Sequence, residues 1–423
     1  MNHVRLFLTL ALALTLTLAV EAETEWSSHT RATLGAVPSL SLETLTRPSR
    51  ELVNQVLASF PATEEEAETY ATVLANRKAI EAALGESSPV EDTRGAQQML
   101  ADCPKLTPRT PPSTIGELKP VDVVAVGAIG DSYTTASNAL STTWLNLKWF
   151  PGLSWAMGAD AGVMSVHNMF KAVGNANVVG GSVGTGDNPG NMHCNQAVGG
   201  AVVQDMIDQA NNLVLAFRAE LNETVYNSGW KSVNLFIGGN NACKVCDSYS
   251  TNSPTVYEAG LRAALEILAT LPRTLVSVVP ILDGTQLREY TGPFCKIALG
   301  VVCPCFTTSD SAKIATTQKA VEDYNAAMAS VVQEFNAKTG SEWAAVIQPF
   351  QTNTVIPPGD AGKALLSTAD CFHLNGAGQA LFATGLWNNL VTPIGSKATS
   401  ISPSDPVVCP TDSSFLYNPK GSY

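Results

Sequence analysis

Four short stretches carry residue types able to do chemistry, and Ser132 comes first. It follows the apolar run Val121–Ile129 and the pair Gly130-Asp131, and it precedes the small, threonine-rich stretch Tyr133–Ser137, where a helix could begin. Ligand sites in open α/β sheets gather at the carboxyl ends of strands. A serine hydroxyl there becomes a nucleophile only with a base beside it. Read alone, Asp-Ser is equally a helix N-cap, and locally the cap is the simpler account. His373 changes the balance. It sits in Asp370-Cys371-Phe372-His373, in a turn before a helix, with a carboxylate three residues upstream. At that spacing the carboxylate can fold back on one ring nitrogen and leave the other free to take a serine proton. A loop histidine with an acid nearby is the plain alternative. Two further stretches supply hydrogen-bond donors. Asn195-Gln-Ala-Val-Gly199-Gly200 precedes a helix, so its amides form an anion-binding turn. Phe236-Ile-Gly-Gly239-Asn240-Asn241 ends a strand with two glycines and two amides. A backbone N–H from the first and an asparagine NH₂ from the second suit a developing oxyanion; each, alone, is an ordinary strand-to-helix turn.

The elements that must position these stretches are legible in the hydrophobic pattern. Strand-like runs lie at Val121–Ile129, Ser232–Ile237, Leu275–Leu282 and Ala344–Pro349. Helical stripes fall between them, at Val202–Leu221, Val256–Leu271 and Ile314–Phe335, the last with Val321, Tyr324, Met328, Val331 and Phe335 in register. Strands alternating with helices predict a mostly parallel sheet covered on both faces.

Taken in order, Gly130-Asp131-Ser132, Gly200, Gly239-Asn240 and Asp370-x-x-His373 resemble the four blocks of the SGNH/GDSL hydrolases. The resemblance is closer to the phospholipase B-like branch. It extends to Gly152-Leu-Ser-Trp155, Ser182-Val-Gly-Thr-Gly186, Asn195-Gln-Ala-Val198, Leu287-Arg-Glu289, Cys303-Pro-Cys305, Gln348-Pro-Phe350 and Leu386-Trp-Asn-Asn389, over roughly residues 116–395. It implies a three-layer α/β/α fold and an ester hydrolase without metal or cofactor. It implies Ser132 as nucleophile, with Asp370 and His373 completing a triad. The oxyanion hole it implies comprises the amides of Ser132 and Gly200 and the Asn240 side chain. Two positions depart from the family: Asn241 stands where an aspartate is usual, and Tyr133 follows the serine in place of leucine.

Composition sets the setting. The chain has 423 residues, 45% of them hydrophobic, enough for a large core, so a mostly disordered chain is excluded. With 25 Lys+Arg against 37 Asp+Glu and no basic run, nucleic-acid binding is not expected. Arg5 precedes the apolar, threonine-containing stretch Leu6–Val20, and Val20-Glu21-Ala22 offers a cleavage site. Residues 1–22 are read as a secretory signal peptide, too short for a comfortable membrane span. Residues 23–115 are read as a helical N-terminal segment with a proline-rich linker: a propeptide, a helical appendage or a partly disordered leader. In it Thr63-Glu-Glu-Glu66 forms a capping box and Pro104, Pro108, Pro111 and Pro112 mark the linker. Residues 116–395 are the expected hydrolase domain and 396–423 a tail.

An oxidising compartment favours disulfides. Cys103, Cys243, Cys246, Cys295, Cys303, Cys305, Cys371 and Cys409 are the candidates, with the tail tethered through Cys409 and Cys194 as the spare thiol. Cys243-x-x-Cys246 with Cys303-x-Cys305 could alternatively hold zinc or act in redox exchange, which a secreted chain disfavours. A Cys194–His193 nucleophile is disfavoured because adjacent residues rarely meet in that geometry. Asn222-Glu-Thr224 is a glycosylation sequon. Trp144, Leu145, Leu147, Trp149, Phe150, Leu153 and Trp155 crowd a short span, either as core or as an apolar surface for acyl chains, with Trp149 and Phe150 as the substrate-binding candidates. The expectation is a secreted, monomeric serine esterase acting on fatty-acyl esters of phospholipids or lysophospholipids, with transient contact to a membrane surface. A short-chain or carbohydrate acetyl esterase on the same fold, or a non-catalytic lipid- or glycan-binding protein, are the alternatives.

Overall fold

Four apolar runs pair side by side in the computed structural model, which describes residues 103–143, 147–289 and 293–418. They are β1 (Val123–Gly130), β2 (Trp230–Phe236), β3 (Thr274–Val278) and β4 (Trp343–Ile347), all parallel and in the order β1-β2-β3-β4. Every residue in them is buried except the partly buried Val124 and Ile347. This is why the runs read as continuous rather than alternating: a strand covered on both faces has no wet side. Outside β1, Val179 and Asn195 bridge Ala125 and Ala128, so the 195–200 turn runs alongside the first strand. The described residues belong to the compact unit Ser87–Tyr423. The second unit, Met1–Glu86, lies outside them, as do the expected leader, the helix opening at Thr63, and Trp144 and Leu145.

The principal helices are α1 (Val166–Val173), α2 (Met206–Glu220), α3 (Gly239–Val245), α4 (Pro254–Leu268), α5 (Pro293–Val302), α6 (Ser311–Lys338) and α7 (Gly376–Val391). On one face α2 packs on β1 and α6 on β4, with α4 between them. On the other, α1 and α7 meet through Phe170 and Trp387, whose ring centroids lie 5.4 Å apart. The result is the three-layer α/β/α arrangement expected from the alternation. Helix starts follow local chemistry. The Ser253 side chain accepts from Val256 N with Pro254 at the first position; Asp310 accepts from Ala312 N and Lys313 N; Asn375 accepts from Gly378 N. Among the described residues, no helix is long and apolar enough to cross a membrane.

Four disulfides close the fold: Cys103–Cys409, Cys243–Cys303, Cys246–Cys305 and Cys295–Cys371; Cys194 is free and buried. The sulfurs a zinc site would need at Cys243, Cys246, Cys303 and Cys305 are therefore spent on one another. The proline-rich stretch packs against the body. Leu106 N donates to Val173 O at 2.6 Å, Ile115 N to Ser341 O at 2.7 Å, and the Trp230 indole to Pro112 O at 2.9 Å. At the other end, the Trp387 indole donates to Val408 O and the Asn389 amide to Ala398 O, so the Leu386–Asn389 motif holds the C-terminal segment.

Candidate active site

Register places the site. Gly130 pairs with Phe236, so the loops that follow β1 and β2 leave the sheet side by side and bring Ser132 and Asn240 to the same edge. Contrary to the sequence reading, no helix begins after Ser132, so the serine is not an N-cap. Residues 131–140 form a chain of turns, with Ala136 (φ 53°) and Asn138 (φ 60°) left-handed. Without a helix, the buried carbonyls of this loop need other donors. Ser132 O accepts from Ser137 N at 2.9 Å, Tyr133 O from the Gln379 amide at 3.3 Å, and Thr134 O from Ser154 Oγ at 2.6 Å and Asn195 Nδ2 at 3.1 Å. The motifs around Ser154 and Asn195 thus brace the Ser132 loop. Gln209 of α2, a buried polar residue on an otherwise apolar face, clamps both Gly130 N (2.8 Å) and Gly130 O (2.9 Å) just before Asp131. In the sequence it shows only as one residue of the helical stripe Val202–Leu221.

Asp370 and His373 meet as their spacing predicts. His373 Nδ1 lies 2.6 Å from Asp370 Oδ2, and Asp370 Oδ1 accepts from the backbone amides of Phe372 (2.9 Å) and His373 (3.0 Å). Burial alone would push this carboxyl up. The charge and hydrogen bond of His373 and the two amides outweigh it and hold Asp370 at about 2. The loop is fastened at Cys371 (φ 56°), disulfide-bonded to Cys295 of α5, and by Ser367 N donating to His373 O at 2.7 Å. Tyr133 joins the two loops. Its hydroxyl donates to Phe372 O at 2.9 Å and its ring centroid lies 6.0 Å from that of His373. The tyrosine that replaces the family leucine is therefore a strut between the serine and histidine loops. Asp131 is buried, and desolvation raises its carboxyl to about 7 against the Tyr133 amide and the His373 charge.

Gly200 is left-handed (φ 80°), a conformation that costs a side chain 1–2 kcal/mol (approximately) and costs glycine nothing. Asn240 Nδ2 donates one proton to Ala201 O at 2.9 Å, tying the β2 loop to the Gly200 turn and leaving its second N–H. Asn241 is fully buried. Its Oδ1 accepts from Val203 N at 2.9 Å, while its Nδ2 reaches Asn252 Oδ1 at 3.1 Å and Gln204 Oε1 at 3.3 Å. The asparagine thus uses both ends of its amide, which an ionised aspartate could not do.

An apolar cavity opens beside Ser132 and Asn240, walled by Leu282, Leu287, Phe306, Ile356, Leu381 and Phe382 among others. Its walls come from loops after β3 and β4 and from α7, not from the aromatic span after Ser132. Phe150 packs instead with Ala136, Ala139 and Leu153, and Trp155 is wholly buried against Phe236, Phe350 and Phe382. Trp149 is half-buried, its indole so close to Gly199 that a Cβ there would lie 3.0 Å from the ring nitrogen. His193 turns outward to Glu220 (2.6 Å), away from Cys194, whose thiol burial raises far above its ordinary range. Asn222 is exposed and caps the short helix Glu223–Ser228 through its Oδ1.

A parallel sheet with serine and asparagine loops at one edge, facing an Asp–His pair, defines the class. The chain belongs to the GDSL-like lipase/acylhydrolase family, a family of ester hydrolases, which residues 126–386 match. Within it the chain lies on the phospholipase B-like branch. It is similar to the membrane-associated phospholipase B1 of Rattus norvegicus, 31% identical over 340 residues, covering 76% of this chain and 23% of that protein. The Homo sapiens protein of the same name is 32% identical over 313 residues, covering 70% of this chain and 21% of its own length. The chain thus spans less than a quarter of the length of these relatives.

Proposed function

We propose that the protein is a secreted serine ester hydrolase that cleaves fatty-acyl esters of phospholipids or lysophospholipids. The observation that carries this reading is the apolar cavity opening at Ser132 and Asn240, at the edge where Asp370 and His373 pair. A cavity walled by leucine, isoleucine and phenylalanine suits an acyl chain better than a sugar, whose hydroxyls would lose water there without new partners. The leader-like N-terminus and four disulfides support an extracellular setting. The protein acts as a monomer that touches lipid surfaces transiently, with residues 116–395 as its hydrolase domain.

In this mechanism His373 takes the Ser132 proton as Oγ attacks the ester carbonyl. Asp370 holds the imidazole in the needed tautomer and stabilises the imidazolium. The oxyanion is held by the amides of Ser132 and Gly200 and the remaining N–H of Asn240 Nδ2. Collapse expels the alcohol, protonated by His373, and water repeats the sequence on the acyl-enzyme. No step calls on a metal or cofactor.

The test is fatty-acid release from diacyl- and lysophosphatidylcholine, run beside acetylated xylan and p-nitrophenyl esters of increasing chain length. Release from the phospholipids that falls on the order of 10⁴-fold or more in Ser132→Ala is the expected result. Acetate release without phospholipid turnover would move the protein to carbohydrate esters. Turnover surviving in Ser132→Ala would overturn the serine mechanism. Asn240→Ala should cost on the order of 100–1,000-fold in turnover.

A further inference from the structure

We propose that Asn138, six residues after the serine, is a positioning residue for the acid of the triad: its side-chain amide fixes Asp370 Oδ2 in place for His373. The inference rests on the Ser132–His373–Asp370 reading. Asn138 Nδ2 donates to Asp370 Oδ2 at 2.7 Å, the same oxygen that His373 Nδ1 meets at 2.6 Å, and lies 3.4 Å from Nδ1 itself. The orientation of the amide is not arbitrary. Lys148 N can only donate, and it meets Asn138 Oδ1 at 3.1 Å, so Nδ2 must face the carboxylate. The backbone is fastened as firmly: Asn138 N donates to Lys148 O at 2.7 Å and Asn138 O accepts from Ser141 N at 3.1 Å. The residue is 7% exposed and left-handed, a conformation asparagine tolerates better than most residues.

Every hydrogen-bonding group of Asn138 is thus engaged, and one of the four bonds goes to the triad acid. Asp370 Oδ1 takes two backbone amides, whereas Oδ2 takes His373 and Asn138. Asn138 supplies the side-chain donor that, with the histidine, fixes where Oδ2 points. Without it Oδ2 stays the partner of the imidazole but is less firmly aimed, and, one donor short, it becomes a more basic partner. A more basic partner stabilises the imidazolium, so the general base stays protonated to higher pH. Among the described residues, the other titratable groups whose charge reaches this pair are Asp131 and Tyr133, both on the serine loop and both untouched by the substitution.

The experiment compares wild type, Asn138→Gly and Asn138→Asp in full pH profiles of kcat and kcat/KM on one soluble ester, with Ser132→Ala as control. Glycine keeps the left-handed backbone and removes only the side chain. Its expected effect is a 10- to 100-fold fall in kcat at nearly constant KM, and an acid limb displaced to higher pH. The far-downfield proton resonance of the His373 Nδ1–H should shift or broaden. Asn138→Asp is isosteric and sets a second carboxyl against Asp370. Two such groups share a proton, so a displaced or additional ionisation is expected. Should the glycine variant not fold, the aspartate variant decides alone. A kcat within twofold of wild type, or a fall in kcat with the profile of both variants unmoved, overturns the proposal. Activity surviving in Ser132→Ala would instead overturn the triad reading on which it rests.

Discussion

The loops carrying the serine and the histidine are held in opposite ways. The serine loop, 131–138, has no regular structure; beside local turn bonds such as Ser137 N to Ser132 O, its carbonyls accept from Ser154, Asn195 and Gln379, residues 20 to 246 positions away from their partners. The histidine loop, 367–375, is largely self-made. Asp370 takes amides two and three residues on, Ser367 pairs with His373, and Asn375 caps the helix that follows. Its external ties include the covalent one, Cys371 to Cys295, and the hydrogen bonds it receives from Tyr133 and Asn138 of the serine loop. The difference shows two routes to a fixed side chain. A loop whose backbone polar groups are spread among distant partners is rigid only when the whole core is assembled. A loop closed largely on itself needs fewer external ties, and here the covalent one is its anchor.

Removing that anchor is the sharpest way to test the contrast. The double substitution Cys295→Ala/Cys371→Ala should cost about 2–4 kcal/mol of stability and lower kcat as well, because the freed loop carries His373. The matching Cys103→Ala/Cys409→Ala change should lower the melting temperature while leaving kcat near wild type at temperatures where the protein is folded. Thermal melts and single-temperature kinetics check both. Equal kcat in the two double mutants would mean that the histidine loop needs no anchor.

On the serine side, Gln209→Leu removes the partner of the buried Gly130 N–H and should cost about 1–3 kcal/mol. It should also slow turnover, since the clamp sits two residues before Ser132. A stability loss without any kinetic effect would show that the distant braces support the fold rather than the placement of Ser132.

A pH-dependent effect is expected at Asp131, whose carboxyl burial raises to about 7. Its folded value lies above the unfolded one, so the folded state retains its proton while the unfolded state ionises. Stability contributed by this group is whole below the unfolded value and is lost as pH rises towards 7. Asp131→Asn should therefore raise the melting temperature relative to wild type most at pH 8, with the gain shrinking towards pH 4. A gain independent of pH would argue against a buried, proton-holding carboxyl.

Much of this was legible in the sequence. The strands announced themselves because a buried parallel sheet demands uninterrupted apolar runs, and Asp370 and His373 did because their contact is local in the chain. The disulfide partners, the brace residues Ser154, Gln209 and Gln379, and Asn138 were not legible in those roles. Each acts across tens to hundreds of residues, and a polar side chain carries no periodic signal of the partner it will meet. The aromatic span, which composition left open between core and acyl-chain surface, shows the same limit: Phe150 and Trp155 are buried, and the apolar cavity is walled by the loops after β3 and β4 and by α7. Residue order alone determined the sheet, the motif blocks and the local Asp–His pair, because each depends on periodicity or short spacing. Which walls face the cavity, which donors hold the acid, and where the serine loop stands were decided only when the chain closed, because burial and hydrogen-bond satisfaction are properties of the whole packed core.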